Sequence, residues 1–278
     1  MAIFLLLGIS TRDWTLRLDL MGVLVLTCLI TQVVCKELSF LRDFLGKKID
    51  YSEDLRKKYL FSCLSSCRSA LITALGLCLL LRSNNYQTMM IAASLAIASK
   101  FIFRWQGKHF FNPANFGIIG ALVFTADAWV SPGQWGTDWW YLMLFMGAGG
   151  LILQKVGRWD TSAVFLPLYA GLEAIRTYLL GGGWDIWQHQ LMSGSLLLFT
   201  LFMLSDPRSI PNSQRGRIFW SVILAVLAFI LQEYFYLSTA VFWTLFICSP
   251  LTLIIDKIWV AKQFNWQKQA TKLSGVPY

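Results

Sequence analysis

Apolar stretches of bilayer length recur along this chain from end to end, and they limit its fold more than any other feature. A bilayer core takes roughly 20 apolar residues per helix. That ruler marks nine stretches, about 18–35, 60–81, 86–103, 113–130, 139–156, 161–180, 188–205, 217–236 and 239–259. They predict an all-α fold: a polytopic bundle of about nine transmembrane helices in a single membrane domain over 1–278. Charged residues make up 14% of the chain, against roughly 25% in soluble domains. The opening MAIFLLLGI is too short to span. It has no basic start and no small-residue cleavage site, so it reads as an interfacial segment and not a leader. Residues 36–59 are the one sizeable hydrophilic connection and read as a cytoplasmic loop or surface helix, with 260–278 as a cytoplasmic tail.

The net charge of +9 raises nucleic acid as a partner, but the placement of the cations argues for lipid instead. Lys36, Lys47, Arg56, Arg104, Lys155, Arg208 and Lys257 fall on one side of the nine-helix layout, and little beyond Arg12, Arg17 and Arg82 on the other. The positive-inside rule makes the rich side cytoplasmic. The protein is then a multi-pass plasma-membrane protein with its N-terminus outside and its C-terminus inside. Cys63 and Cys67 share a helix face; they read as packing thiols, with a metal or cluster site as the alternative. No nucleotide-binding or zinc-hydrolase motif appears.

Sliding the chain against itself by 126 residues aligns 69–116 with 195–242 without a gap, with identities such as Ser83/Ser209, Gln106/Gln232, Ala114/Ala240 and Phe116/Phe242. The shift carries the second predicted helix onto the seventh. Five is odd, so the copies (about 18–156 and 161–259) would cross the membrane in opposite senses, an inverted five-helix repeat with its site between the copies. Chance matching of leucine-rich helices is the alternative.

The seam GKHFFNPANFG at 107–117 places cations at the mouth of a predicted helix. Asn112 suits an N-cap and Pro113 the first turn. Free N–H groups there attract anions, with Lys108 and His109 beside them and Asn115 one turn in. These residues form a candidate ligand site for an anion such as phosphate; a plain capped helix is the other reading. Within the spans, charges are costly and need a partner or a use. Glu173 lies mid-helix, and Arg176 stands three residues on, at the spacing of a same-face pair. Asp160 opens the same helix. Glu173, Arg176 and Asp160 are therefore the candidate proton or cation handle, or else a buried structural pair.

With GKHFFNPANFG, KVGRWDTSAVFLP at 155–167, HQLMSGSLLLFTLFMLSDPRS at 189–209 and STAVFWTLFICSPLTLIID at 238–256 in view, the chain resembles the RnfD/NqrB-like membrane proteins of the NQR2/RnfD/RnfE family, and among them the stand-alone RnfD-like proteins, from about residue 60 to 259. The resemblance implies membrane electron transport coupled to ion movement, alongside other membrane electron-transport subunits. It also implies a covalent FMN on a Ser-Gly-Ala-Thr threonine. Here the corresponding connection reads DAWVSPGQWGTDWW, 127–140, and lacks that motif, so the covalent flavin is not carried over. A non-covalent flavin (FMN or riboflavin) or a quinone stays open, with Trp135 and its neighbours as a stacking platform or as interfacial anchors. An inverted-repeat channel for a small solute and a non-redox membrane scaffold are the competing functions.

Overall fold

The computed structural model describes residues 1–12, 17–45, 53–131 and 139–265. They form a helical membrane protein made of two compact units: Met1–Arg104 with Pro113–Ser131, and Trp105–Asn112 with Pro132–Tyr278.

The first unit holds α1 (Ala2–Arg12), α2 (Leu18–Leu45), α3 (Glu53–Leu80), α4 (Tyr86–Ile102) and α5 (Pro113–Phe124). On α2, Leu20, Leu24, Cys28 and Gln32 recur every four residues and are buried, while Leu26 and Ile30 on the other face are 60% and 62% exposed. A soluble helix would bury such leucines; exposed to lipid, they are in their preferred solvent. The segment expected as a loop is helical at both ends. α2 runs on to Leu45 and α3 starts at Glu53, and Lys36 Nζ ties the pair by donating to the carbonyl and hydroxyl of Ser62 at 2.6 Å each. Residues 46–52 lie outside the described residues.

α4 and α5 approach closely because small residues line their contact. A Cβ built on Gly117 would stand 2.6 Å from the Ala92 carbonyl oxygen and 2.8 Å from the Ala96 Cβ. Ala92, Ala93 and Ala96 are fully buried. Without a hydrophobic drive between helices in lipid, this close backbone approach supplies the attraction. Two-residue strands close the end of the unit. β1 (Leu81–Arg82) pairs antiparallel with β4 (Trp129–Val130), Leu81 opposite Val130. Asp127 accepts hydrogen bonds from Ser83 Oγ (2.6 Å) and from Thr88 Oγ1. Its carboxyl is held below the ordinary value by these two hydroxyls, Ser83 first. The short strands β2 (Arg104–Trp105) and β3 (Lys108–His109) are joined by Gln106 and Gly107, both at positive φ (50° and 81°), the conformation of a type I′ hairpin turn.

The second unit holds α6 (Trp139–Val156), α7 (Trp159–Leu179), α8 (Trp184–Leu191), α9 (Gly194–Leu198) with a wide π-turn (Phe199–Met203), α10 (Gln214–Glu233), α11 (Ala240–Cys248) and α12 (Leu251–Ile258). The division falls after Ser131, so α6 belongs here and not with the preceding helices. Its Gly149 admits the Leu201 side chain, which a Cβ would meet at 2.8 Å.

All nine predicted stretches hold helix, but nine unbroken crossings are not what the described residues show. Three helical segments are long and apolar enough to cross a bilayer: Leu18–Arg42, Ser62–Leu80 and Gln214–Glu233. α11 with α12 makes a fourth if their 50° bend is counted within one span. α5 stops after twelve residues. The 188–205 stretch breaks at Ser193, whose hydroxyl caps α9 through the Leu196 N–H. The 239–259 stretch breaks at Pro250, which cannot donate to the preceding turn. There the Cys248 carbonyl is taken up by the Trp220 indole N–H at 3.0 Å. The predicted offset of 126 carries the start of α4 to within two residues of α10 and the start of α5 to within one of α11.

Candidate functional site

Among the described residues, the buried charged side chains of the second unit gather in two places, and α7 and α10 frame both. On α7, Phe165, Tyr169, Glu173 and Thr177 are buried at four-residue spacing; on α10, Arg217, Ser221, Leu224 and Ala228 form the facing stripe. Pro167 lies on the exposed face of α7, off this contact. The two helices run parallel. Asp160 at the start of α7 pairs with Arg217 at the start of α10, with Nε at 2.8 and 2.9 Å and Nη2 at 2.5 Å. Near the other end Arg176 Nε meets Glu233 Oε2 at 2.5 Å. Both pairs join residues 57 apart in sequence, so the helices stay in register between them. Sixteen residues at 1.5 Å rise put the two clasps about 24 Å apart, most of a hydrocarbon core of roughly 30 Å.

Glu173 lies between the clasps, fully buried, and neither carboxylate oxygen has a hydrogen-bond partner. Sequence spacing offered Arg176 as its partner; the structure gives Arg176 to Glu233 instead. Tyr169, one turn before Glu173, donates its hydroxyl to Gln232 Oε1 at 2.7 Å. Gln232 and Glu233 are the candidate site residues that spacing along the chain did not reveal. The repeat marks Gln232 only as an identity with Gln106, and the end of an apolar span gives no sign that Glu233 faces α7.

The second gathering joins the loops at the start of these helices. Lys108 Nζ donates to Asp256 Oδ2 (2.7 Å) and to the Ile210 carbonyl (2.6 Å). Asp256 also accepts from the backbone and side-chain nitrogens of Asn212 at 2.7 and 2.8 Å. The Asn212 carbonyl takes bonds from Arg158 and Arg217, both at 2.8 Å. Burial pushes the Lys108 ammonium below its ordinary pKa, and the Asp256 carboxylate opposes that. His109 Nε2 stands 3.8 Å from Asp206. Burial raises the Asp206 carboxyl, but His109 and the Arg208 N–H outweigh it and hold it below the usual range. Asn112 Nδ2 donates to the Met203 carbonyl at 3.2 Å, at the end of the π-turn, and Ser162 Oγ donates to the Thr200 carbonyl at 2.6 Å. A π-turn frees such carbonyls from the regular ladder, and it often marks a functional site.

Lys108, His109 and Asn112 are thus brought together, facing carboxylates and carbonyls. Pro113 and Asn115 begin α5 in the first unit, where Pro113 is the first helical residue as predicted and Asn115 is buried. Trp135 lies outside the described residues. Trp129 and Trp140 are 44% and 48% exposed. All six cysteines are free, and among the described residues no three metal-binding side chains converge.

Residues 128–265 match the NQR2, RnfD, RnfE family. This segment contains α7, α10 and Asp256 but not the 107–117 seam that contributed to the resemblance. Three similar proteins each carry the name of the D subunit of an ion-translocating oxidoreductase complex. The one from Tolumonas auensis is 26% identical over 121 residues, 43% of this chain and 35% of the relative. That from Yersinia enterocolitica is 29% identical over 119 residues, 42% of this chain and 32% of the relative. That from Vibrio vulnificus is 30% identical over 101 residues, 36% and 28%. The matched stretch therefore spans about a third of these relatives. Through residues 128–265, just under half of its length, the chain is similar to the NQR2, RnfD, RnfE family.

Proposed function

We propose that the protein is a membrane subunit of an electron-transport assembly in which Glu173 serves as the handle for a moving proton or cation. The family match supports the coarser part, a membrane electron-transport role, as do the relatives named as D subunits of ion-translocating oxidoreductase complexes. One observation carries the finer part: Glu173 is fully buried with both oxygens unpartnered. Burying a carboxylate without compensation is costly enough that the group must take a proton or a cation. The neighbours that could compensate it are engaged elsewhere, Tyr169 with Gln232 and Arg176 with Glu233, so in this reading the partner can come and go. Asp160, already engaged by Arg217, holds the frame.

A non-covalent flavin or a quinone is the redox group in this reading, and it would supply one- or two-electron chemistry when bound. No described residue is assigned to hold it. Other membrane subunits of the same assembly are the expected partners. The N-terminus lies outside and the C-terminus in the cytoplasm, following the cation-rich connections. The test is the absorption spectrum of the purified protein together with extraction of its pigments. Flavin bands or an extracted quinone support the reading, and a blank result in both removes the redox role from this chain. Glu173→Gln then abolishes ion-coupled turnover; unaltered turnover takes Glu173 out of the site. A solute channel built on two opposed copies is the second reading. The break between α11 and α12 at Pro250 favours it, because discontinuous helices line transport sites. It predicts a colourless protein that admits solute into vesicles.

A further inference from the structure

The two clasps between α7 and α10 differ in a way that the handle role alone does not use. Asp160 and Arg217 are nearly closed off, with side chains 8% and 7% exposed, and three short contacts lock them. At the other end Glu233 is buried at 8%, but Arg176 is 32% exposed and makes one close contact. Arg176 is also three residues from Glu173 on the same helix, the spacing at which side chains on one face can meet. One guanidinium therefore has two carboxylates within its swing, and it rests on the one from the neighbouring helix.

We propose that Glu173 and Glu233 share Arg176, so that the charge state of Glu173 decides whether the C-terminal end of the α7–α10 contact is clasped. This rests on Glu173 as the handle and names what its proton controls. With a proton on Glu173, the guanidinium sits on Glu233 and α7 is tied to α10, the arrangement seen here. When the proton leaves, the bare carboxylate is the less hydrated anion, three residues away on the same helix, and Arg176 turns to it. Glu233 then loses its cation and the α10 end is released. That end leads through Tyr236, at φ 54°, into the start of α11. The Asp160–Arg217 clasp does not respond, so the movement is one-ended, with the start of the two helices as its hinge. Of the other groups, Tyr169 on α7 stands one turn before Glu173 and donates to Gln232 in this arrangement. Asp185 and His189 lie on the exposed α8, and Lys155 is in the last turn of α6. α9 and the π-turn carry no ionisable side chain.

A hydrophobic carbodiimide tests this on the purified protein, with no redox activity required. It modifies protonated carboxyls in apolar surroundings and spares ion-paired ones, and peptide mass spectrometry reads each site. The expected wild-type result is label on Glu173 and little on Glu233. Glu233→Gln frees Arg176 for Glu173, so label on Glu173 falls several-fold. Adding Arg176→Gln to that variant restores it. Arg176→Gln alone keeps Glu173 labelled and exposes Glu233 to the reagent. Label on Asp160 reports misfolding, and Glu233→Asp, which keeps the charge and shortens the reach, is read in place of any variant that shows it; label on Glu173 is then expected to fall in part. Equal labelling of Glu173 in every folded variant overturns the sharing while leaving the handle. An unlabelled Glu173 in the wild type overturns both.

Discussion

Arg217→Gln should be the most damaging single substitution in the second unit that touches no lipid-facing residue. The guanidinium it removes makes three contacts to Asp160, at 2.5–2.9 Å, and one to the Asn212 carbonyl at 2.8 Å. Asp160 would keep only the Thr161 backbone N–H at 3.1 Å, in a site where its side chain is 8% exposed. Breaking a buried pair from one side costs about 3–5 kcal/mol, chiefly the penalty of the charge left behind. For a chain of this size each kcal/mol shifts the melting temperature by about 2–4 °C, so the expected loss is about 6–20 °C. The assay is loss of the monodisperse chromatographic peak on heating in detergent. Asp160→Asn combined with Arg217→Gln should recover much of the deficit, because no uncompensated charge remains. A single variant that melts within about 2–4 °C of wild type, or a double variant no better than the single, would refute the argument that this clasp is a fixed structural hinge.

Three further outcomes are expected. Gly117→Ala should destabilise by about 1–3 kcal/mol as an overpacked contact, since the added Cβ meets the Ala92 carbonyl oxygen at 2.6 Å and backbone cannot give way as a side chain can; the detergent melt reads it. The Asp127 clasp depends on pH: the folded carboxyl sits below its ordinary 3.8, so its contribution is complete above that value and is lost as pH falls through the folded-state value. Ser83→Ala should flatten the acid side of the melting curve, and an unchanged curve would show that the hydroxyl does not hold the charge. Lys108→Met leaves Asp256 with Asn212 but without its cation, and should make the region around α12 the first to be cleaved in limited proteolysis, ahead of wild type.

The helices were legible because period and length are local properties. α4, α6 and α7 fall within two residues of the stretches read from apolar runs, and α6 coincides with its stretch. What the runs concealed is continuity. A break at Ser193 or Pro250 leaves the composition of the surrounding residues as apolar as before, so a sliding count passes over it. The charged segment after Cys35 misled in the opposite direction. Lys36 lies on α2 as a helical side chain reaching across to Ser62, and its charge says where apolar surroundings end without saying that the helix ends there.

The candidate site divides along the same line. The sequence could show that Glu173 and Arg176 share a face, since that follows from helical pitch alone. It could not show that α10 lies parallel to α7 in a register that puts Glu233 beside Arg176, because that depends on the intervening crossing through α8, α9 and the π-turn. The same crossing explains why an obvious pair was not formed. A surface Arg at the i+3 position has only the near carboxylate to choose. Here the parallel neighbour offers a second one at 2.5 Å, and the buried Glu173 is left with none. A chain selected only for a stable core would have placed an apolar side chain at 173, because a buried carboxyl without hydrogen bonds costs stability wherever it occurs. A buried carboxyl beside an arginine held by another helix fits the proposed binding and release of a proton or cation, and it is the reason to look for function at residue 173 before the better-satisfied charges around Asp256.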